Sequence, residues 1–208
     1  MSAPIAAPAP EPNPALAPLR PARPWILAGL VTAALGLTGC GSSPSETFDL
    51  TIPSGAARQN PGRSQIVVAE PVALQALESD RIVVRSADGS VSSVGGVQWS
   101  DRLPRLLQTR LVQAFENAGR AVGRAGTGIN ADQVLQTEIR FFGVSTVNGA
   151  EAVVELSVKV VASATGKITT SRVFKGSVPL AAVGGREAAV ALDKAAQRVF
   201  ADVVRWAR

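Results

Sequence analysis

Histidine and tyrosine are absent from this 208-residue chain, and cysteine and methionine occur once each. Without histidine there is no ordinary general base at neutral pH and no imidazole metal ligand. With Cys40 as the one thiol, no disulfide can form within the chain. Zinc centres built on cysteine and histidine, Cys-His dyads and histidine-based triads are therefore excluded. A carboxylate pair or a Ser-Lys dyad stays chemically open, because 16 acidic residues and many serines are present. Charged residues are scattered, with no dense basic run and no basic stripe interleaved with aromatics, which argues against a nucleic-acid interface. The net charge of +5 is mildly basic and suits an anionic membrane surface or acidic partners.

The most informative stretch lies near the N-terminus. Arg20 and Arg23 precede the apolar run WILAGLVTAALGL, from Trp25 to Leu37, which ends on Thr38-Gly39-Cys40. Basic residues, an apolar core and small residues in that order form a secretory signal. The run is shorter than the roughly 20 residues a membrane-spanning helix needs. Leu37-Thr38-Gly39-Cys40 resembles the lipobox of bacterial lipoproteins, cut by signal peptidase II before the cysteine. The resemblance implies cleavage between Gly39 and Cys40, a diacylglycerol on the Cys40 thiol, an acyl chain on its new amino group, and no other cofactor. Residues 1–39 then form a leader, long and Pro/Ala-rich over 1–24, with no second methionine for a later start. Residues 40–46 form a lipidated tether of small polar type. The remainder, 47–208, is one domain of ordinary size.

Within the domain, Phe48 to Ile52 alternates and predicts a strand, followed by a Pro/Gly loop over 53–63. Ile66 to Ala69 and Arg81 to Arg85 predict two more. Asp88-Gly89 then turns the chain into an arm from Val91 to Trp99, with a bulge or break at Gly95-Gly96. Asp101 is the expected cap of a helix in which Pro104 falls at the third position. Leu103, Leu107, Leu111, Ala114 and Ala118 form its apolar stripe, with Leu106 and Phe115 alongside. Arg102, Arg105, Gln108, Gln113 and Glu116 are placed on the wet side, and Gly119 ends the helix.

Ala131 to Val147 puts Leu135, Thr137, Ile139 and Phe141 on one face, and Asn148-Gly149 predicts a type I′ turn. The return arm points Val154, Leu156, Val158 and Val160 inward. Thr165-Gly166-Lys167 leads to a third arm, Ile168 to Val178. A second helix from Arg186 to Trp206 buries Leu192, Ala196, Val199, Val203 and Trp206, with Asp193, Lys194, Arg198, Asp202 and Arg205 facing water. The expected fold is α+β, an antiparallel sheet of about seven strands covered by two amphipathic helices.

The strand at Phe48, the Trp99-Ser100-Asp101-Arg102-Leu103-Pro104 approach to a leucine-rich helix, the meander and the terminal helix together resemble the ABC-type transport auxiliary lipoproteins, including the paraquat-inducible protein C-like lipoproteins. The segment WSDRLPRLLQTRLVQAFENAG carries most of the likeness. The resemblance implies a non-enzymatic periplasmic lipoprotein attached to an MCE-type lipid transport system, with MCE-domain and ABC transporter subunits as partners and homo-oligomers within reach. Aspartate after the lipidated cysteine commonly retains a lipoprotein in the inner membrane, and position 41 is glycine, so the outer membrane is expected. Two other classes stand beside this one: a structural lipoprotein of another outer-membrane assembly machine, and a periplasmic hydrolase working through serine and carboxylates. For individual residues, Trp99 reads as core at a strand-to-helix corner or as an interface residue, and Asp101 as a cap. Arg102, Arg105 and Arg110 read as a solvated helix face or as contacts to lipid headgroups or an acidic partner.

Overall fold

The structure, a computed structural model, describes residues 45–52 and 64–207. Cys40, the leader, most of the tether and the 53–63 loop lie outside the described residues. In chain order the strands are β1 (Glu46–Phe48), β2 (Ile66–Val68), β3 (Val72–Ala73), β4 (Arg81–Arg85), β5 (Val91–Trp99), β6 (Val122–Arg124), β7 (Gln133–Ser145), β8 (Glu151–Ala162) and β9 (Ile168–Pro179). The helices are α1 (Leu103–Asn117) and α2 (Gly185–Trp206).

The sheet grows from both edges of β7. Along one edge β8 pairs with it antiparallel from Gln133 to Ser145, and β9 pairs antiparallel with β8. The other edge is divided among three short strands that all run parallel to β7: β2 at its start, β3 in the middle and β4 at its end. Beyond these, β6 lies parallel to β2, β5 antiparallel to β4, and β1 parallel to β5. The sheet is thus mixed, with nine described strands, where the sequence suggested about seven in a purely antiparallel arrangement. Strands β3 and β6 have two and three residues. Such pieces exist only because a distant partner supplies the hydrogen bonds, so no local periodicity announces them.

Several local expectations hold. The β4–β5 hairpin turns at Gly89, and β5 bulges where expected: Arg81 faces Gln98 while Val83 faces Ser93, and Gly96 has a φ of 73°. Gly119, with a φ of 73°, ends α1, its N–H donating to the Glu116 carbonyl while that of Arg120 reaches the Phe115 carbonyl. The inward residues of β8 are buried, and Leu135, Thr137 and Ile139 lie opposite Val160, Val158 and Leu156.

Others are corrected. The first strand is Glu46–Phe48, ahead of the expected Phe48 to Ile52, and beyond it Leu50 turns into the core at 2% exposure. A bulge at Arg140 shifts the register of β7, so Phe141 pairs with Glu155 and Phe142 stands opposite Val154, and both rings are buried in the core. The connection after β7 spans Thr146 to Ala150, and Gly149 alone in it has positive φ, so no type I′ turn forms at Asn148-Gly149.

Asp101 does not cap α1 either. The helix begins at Leu103, Arg102 stands at the cap position without a side-chain bond, and Pro104 is the second helical residue. The first free helical donor, Leu103 N–H, is taken at 3.0 Å by the Ser79 carbonyl, and Pro104 has none to satisfy. A neighbouring loop thus does the work of a capping side chain. Gln108, assigned to water, is buried, and its amide donates to the Val68 carbonyl at 2.9 Å, tying α1 to β2.

Helix α2 packs on β9, β8, β7 and β5, while α1 packs on β2 and β6. The buried face of α2 is largely alanine: Ala188, Ala189, Ala191, Ala195 and Ala196 sit with Leu192, Val199, Phe200 and Val203. Small side chains let the helix lie close, and Gly176 on β9 matches them. A Cβ there would fall 2.9 Å from the Ala195 carbonyl oxygen.

Candidate functional site: the seat of the N-terminal segment

The residues the sequence nominates for function do not form one cluster. Trp99 is core, 1% exposed, edge-on to Phe142 with ring centroids 5.7 Å apart. Its indole N–H finds no hydrogen-bond partner among the described residues. The ring's packing, not an outward contact, holds it in place. Asp101 accepts the Arg102 N–H at 2.7 Å and pairs with Arg105 at 3.3 Å. Arg102 bridges Glu70 and Glu78, at 2.9 and 3.1 Å. Arg110 pairs with Asp49 and donates to Gln113. Each of the three arginines proposed for headgroups or acidic partners is thus already matched to a carboxylate of the chain itself.

What the structure does assemble is a seat for the segment Glu46 to Ile52. Glu46 pairs with Arg186 at the start of α2, and the Arg186 guanidinium lies 5.4 Å from the Phe48 ring centroid. Asp49 pairs with Arg110 of α1. Asp193 of α2 takes both the Thr51 N–H and its hydroxyl at 2.7 Å, and the Gln197 amide adds bonds to Thr51 and Asp193. Leu50 lies buried between these links. Exposed ion pairs are worth only about 0–1 kcal/mol each, so most of the holding comes from Leu50, whose burial is worth roughly 1.5–3 kcal/mol. The polar links set position and direction.

Asp49 shows that balance. Partial burial pushes its carboxyl up, yet hydrogen bonds from Arg110 and the Leu50 N–H, with the Arg110 charge, outweigh this and hold it below the usual 3.8. Sequence reasoning placed Asp193 in water and did not single out Gln197. The one local clue was their i,i+4 spacing on α2, which puts both on one helix face.

Elsewhere the surface offers open depressions. One, of about 410 Å³, is lined by Val72, Ala73, Leu74, Glu138, Ile139 and Arg140. Among the described residues no group of three or more histidine, cysteine, aspartate or glutamate side chains could hold a metal ion, and no helix is long and apolar enough to cross a membrane.

These features define a class: an α+β domain whose charged side chains tie its own segments together, with its N-terminal segment stapled across two helices. The chain belongs to the ABC-type transport auxiliary lipoprotein component family, whose pattern matches residues 48–204. The family is one of auxiliary lipoproteins and not a known enzyme family. Protein bll6063 of Bradyrhizobium diazoefficiens is 30% identical over 187 residues, covering 87% of this chain and 49% of the other. The chain therefore spans about half the length of that relative. The crystal structure of XCC0632 from Xanthomonas campestris superposes with a TM-score of 0.70 at 25% identity, over 78% of this chain and 94% of that one. A second crystal structure, of an uncharacterized protein, shares the fold at a TM-score of 0.62 and 14% identity, over 80% of this chain and all of the other.

Proposed function

We propose that the chain is a non-enzymatic adaptor of an MCE-type ABC lipid-transport system, held at the periplasmic face of the outer membrane by acyl chains on Cys40. Membership of the auxiliary lipoprotein family carries this reading, joined to a single cysteine at the one position where a lipobox needs it. The location rests on Gly41 standing where an inner-membrane retention signal would have aspartate.

A lipid-transport tunnel must shield acyl chains whose exposure costs roughly 0.8 kcal/mol per CH₂. An accessory protein helps by carrying lipid or by docking the tunnel to a membrane. Docking suits this chain, because its apolar side chains close on one another in a single core around the two helices and the sheet. A short tether raises the local concentration of the domain at the membrane, so a weak contact with the tunnel becomes effective.

Three measurements test the reading. Affinity purification of the full chain from membranes should bring down MCE and ABC subunits; outer-membrane biogenesis proteins in their place would point to another assembly machine. Cys40→Ser should abolish incorporation of a fatty-acid analogue, and label retained on that variant would refute lipidation. Native mass spectrometry of the detergent-purified chain should show no stoichiometric non-covalent phospholipid, which if present on a monomer would make the protein a carrier.

A further inference from the structure

Three connections meet at one end of the sheet: the β4–β5 turn, the β7–β8 turn and the β9–α2 loop. They are contiguous, because the Thr146 N–H donates to the Arg85 carbonyl at 3.0 Å and the Leu180 N–H to the Ala150 carbonyl at 2.9 Å. Each has an exposed valine in it or beside it: Val91, the first residue of β5, is 56% exposed, Val147 48% and Val183 43%. Val190, in the second turn of α2, adds a fourth at 40%. A single exposed valine needs no explanation; three at one end form an apolar rim, while Ile129 and Ile168 are exposed to a like degree at the opposite end, so the reach of the chain must choose between the two.

The chain also enters the domain from this side. From Glu46, paired with Arg186, to Thr51, held by Asp193, the segment runs in the same direction as α2. Glu46, at the start of this segment, is thus held beside the N-terminus of α2, which adjoins the β9–α2 loop.

We infer that this valine-bearing end rests against the phospholipid bilayer that holds Cys40, with Val91, Val147 and Val183 entering the headgroup layer. The inference rests on the lipidation of Cys40 proposed above. Chain length excludes the opposite end of the sheet. Cys40 is six residues before Glu46, so the tether reaches at most about 20–22 Å. Glu46 lies beside Val97, level with the start of β4. From there to the valine end is the length of β4 from Arg81 to Arg85, about 13 Å at the usual rise per residue. The start of β7 lies eight residues the other way from Phe141, about 27 Å, beyond the tether's reach. Arg85 and Arg186 lie towards this end with Asp88, Glu151 and Glu187, so its charge is mixed and slightly acidic, and the contact is apolar, not a polybasic attraction to anionic lipid.

The test uses full-length acylated protein in vesicles of phosphatidylethanolamine and phosphatidylglycerol. Acylation consumes the Cys40 thiol, so Val91→Cys, Val147→Cys and Val183→Cys each carry one free thiol for an environment-sensitive fluorophore. Ile129→Cys and Ile168→Cys label the opposite end, where β7 and β9 begin. Quenching by nitroxide-labelled lipid should be about twofold or more stronger at the three valine positions than at the two isoleucines. Intact mass of the same samples reports acylation. An acylated protein with equal quenching at both ends, or with valine positions shielded only when a protein partner is added, overturns the membrane contact and leaves lipidation standing. An unmodified Cys40 overturns both.

Discussion

Adding one methyl group at Gly143 should unseat β4 from β7. Gly143 pairs with Val83 in the short parallel ladder that also joins Val84 to Val144 and Arg85 to Ser145. A Cβ at Gly143 would lie 2.3 Å from the Val83 carbonyl oxygen and 3.1 Å from its carbon. Close carbon–oxygen contacts between strands settle at about 3.3–3.6 Å, so one strand must move by roughly 1 Å. The obstacle is backbone, which cannot rotate away as a side-chain tip would, and β4 has no second ladder on that edge. Overpacking of this kind costs about 2–3 kcal/mol. For a chain of this size that lowers Tm by about 4–12 °C. The matched control is Gly95→Ala, since Gly95 has nothing within 4 Å of its Cβ position and its φ is not positive. Thermal unfolding of Gly143→Ala, followed by circular dichroism, should show the drop, and Gly95→Ala should match the parent or melt up to about 4 °C above it. A Gly143→Ala protein melting with the parent would show that β4 and β7 are not packed at this distance. The same strand pair carries the β4–β5 turn, so the variant should also weaken quenching at Val91→Cys.

Two smaller effects follow from single contacts. Gln108→Ala removes the amide that reaches the Val68 carbonyl, but that carbonyl also accepts the Ala125 N–H at 2.9 Å, so it is not stranded. The loss should be about 0.5–1.5 kcal/mol by urea unfolding, and a loss of several kcal/mol would mean the side chain does more than tie α1 to β2. Asp49, held below its usual 3.8, contributes stability that is full above that value and fades as the pH falls through the lowered one. Asp49→Asn should therefore melt below the parent at about pH 6 and approach it at about pH 3, with a gap under about 1 kcal/mol because the carboxyl is half-exposed. A gap independent of pH would remove Arg110 as its cause.

The sequence alone determined whatever is written in neighbouring residues. The period of two in β7 and β8, the 3.6-residue stripes of α1 and α2, the Asp88-Gly89 turn and the left-handed stop at Gly119 are short-range patterns, and the structure keeps them. The lipidation proposed for Cys40 would be of the same kind, since a lipobox is a linear signal read before folding. Only the tertiary structure decided the rest. β3 and β6 owe their strand geometry to partners far along the chain, and the parallel edge of β7 exists because three short segments share it. The β7 bulge at Arg140 puts Phe142 opposite Val154 and leaves both Phe141 and Phe142 buried, because strict alternation fails wherever one strand carries an extra residue. Asp101 loses the capping role to the Ser79 carbonyl, and Gln108 leaves the wet face because Val68 offers it a buried acceptor. The seat of the N-terminal segment brings Glu46, Asp49 and Thr51 to Arg186, Arg110 and Asp193, partners separated by 61 to 142 residues. A hydrogen bond or ion pair forms wherever geometry brings donor and acceptor together, and over such separations only the folded chain sets that geometry.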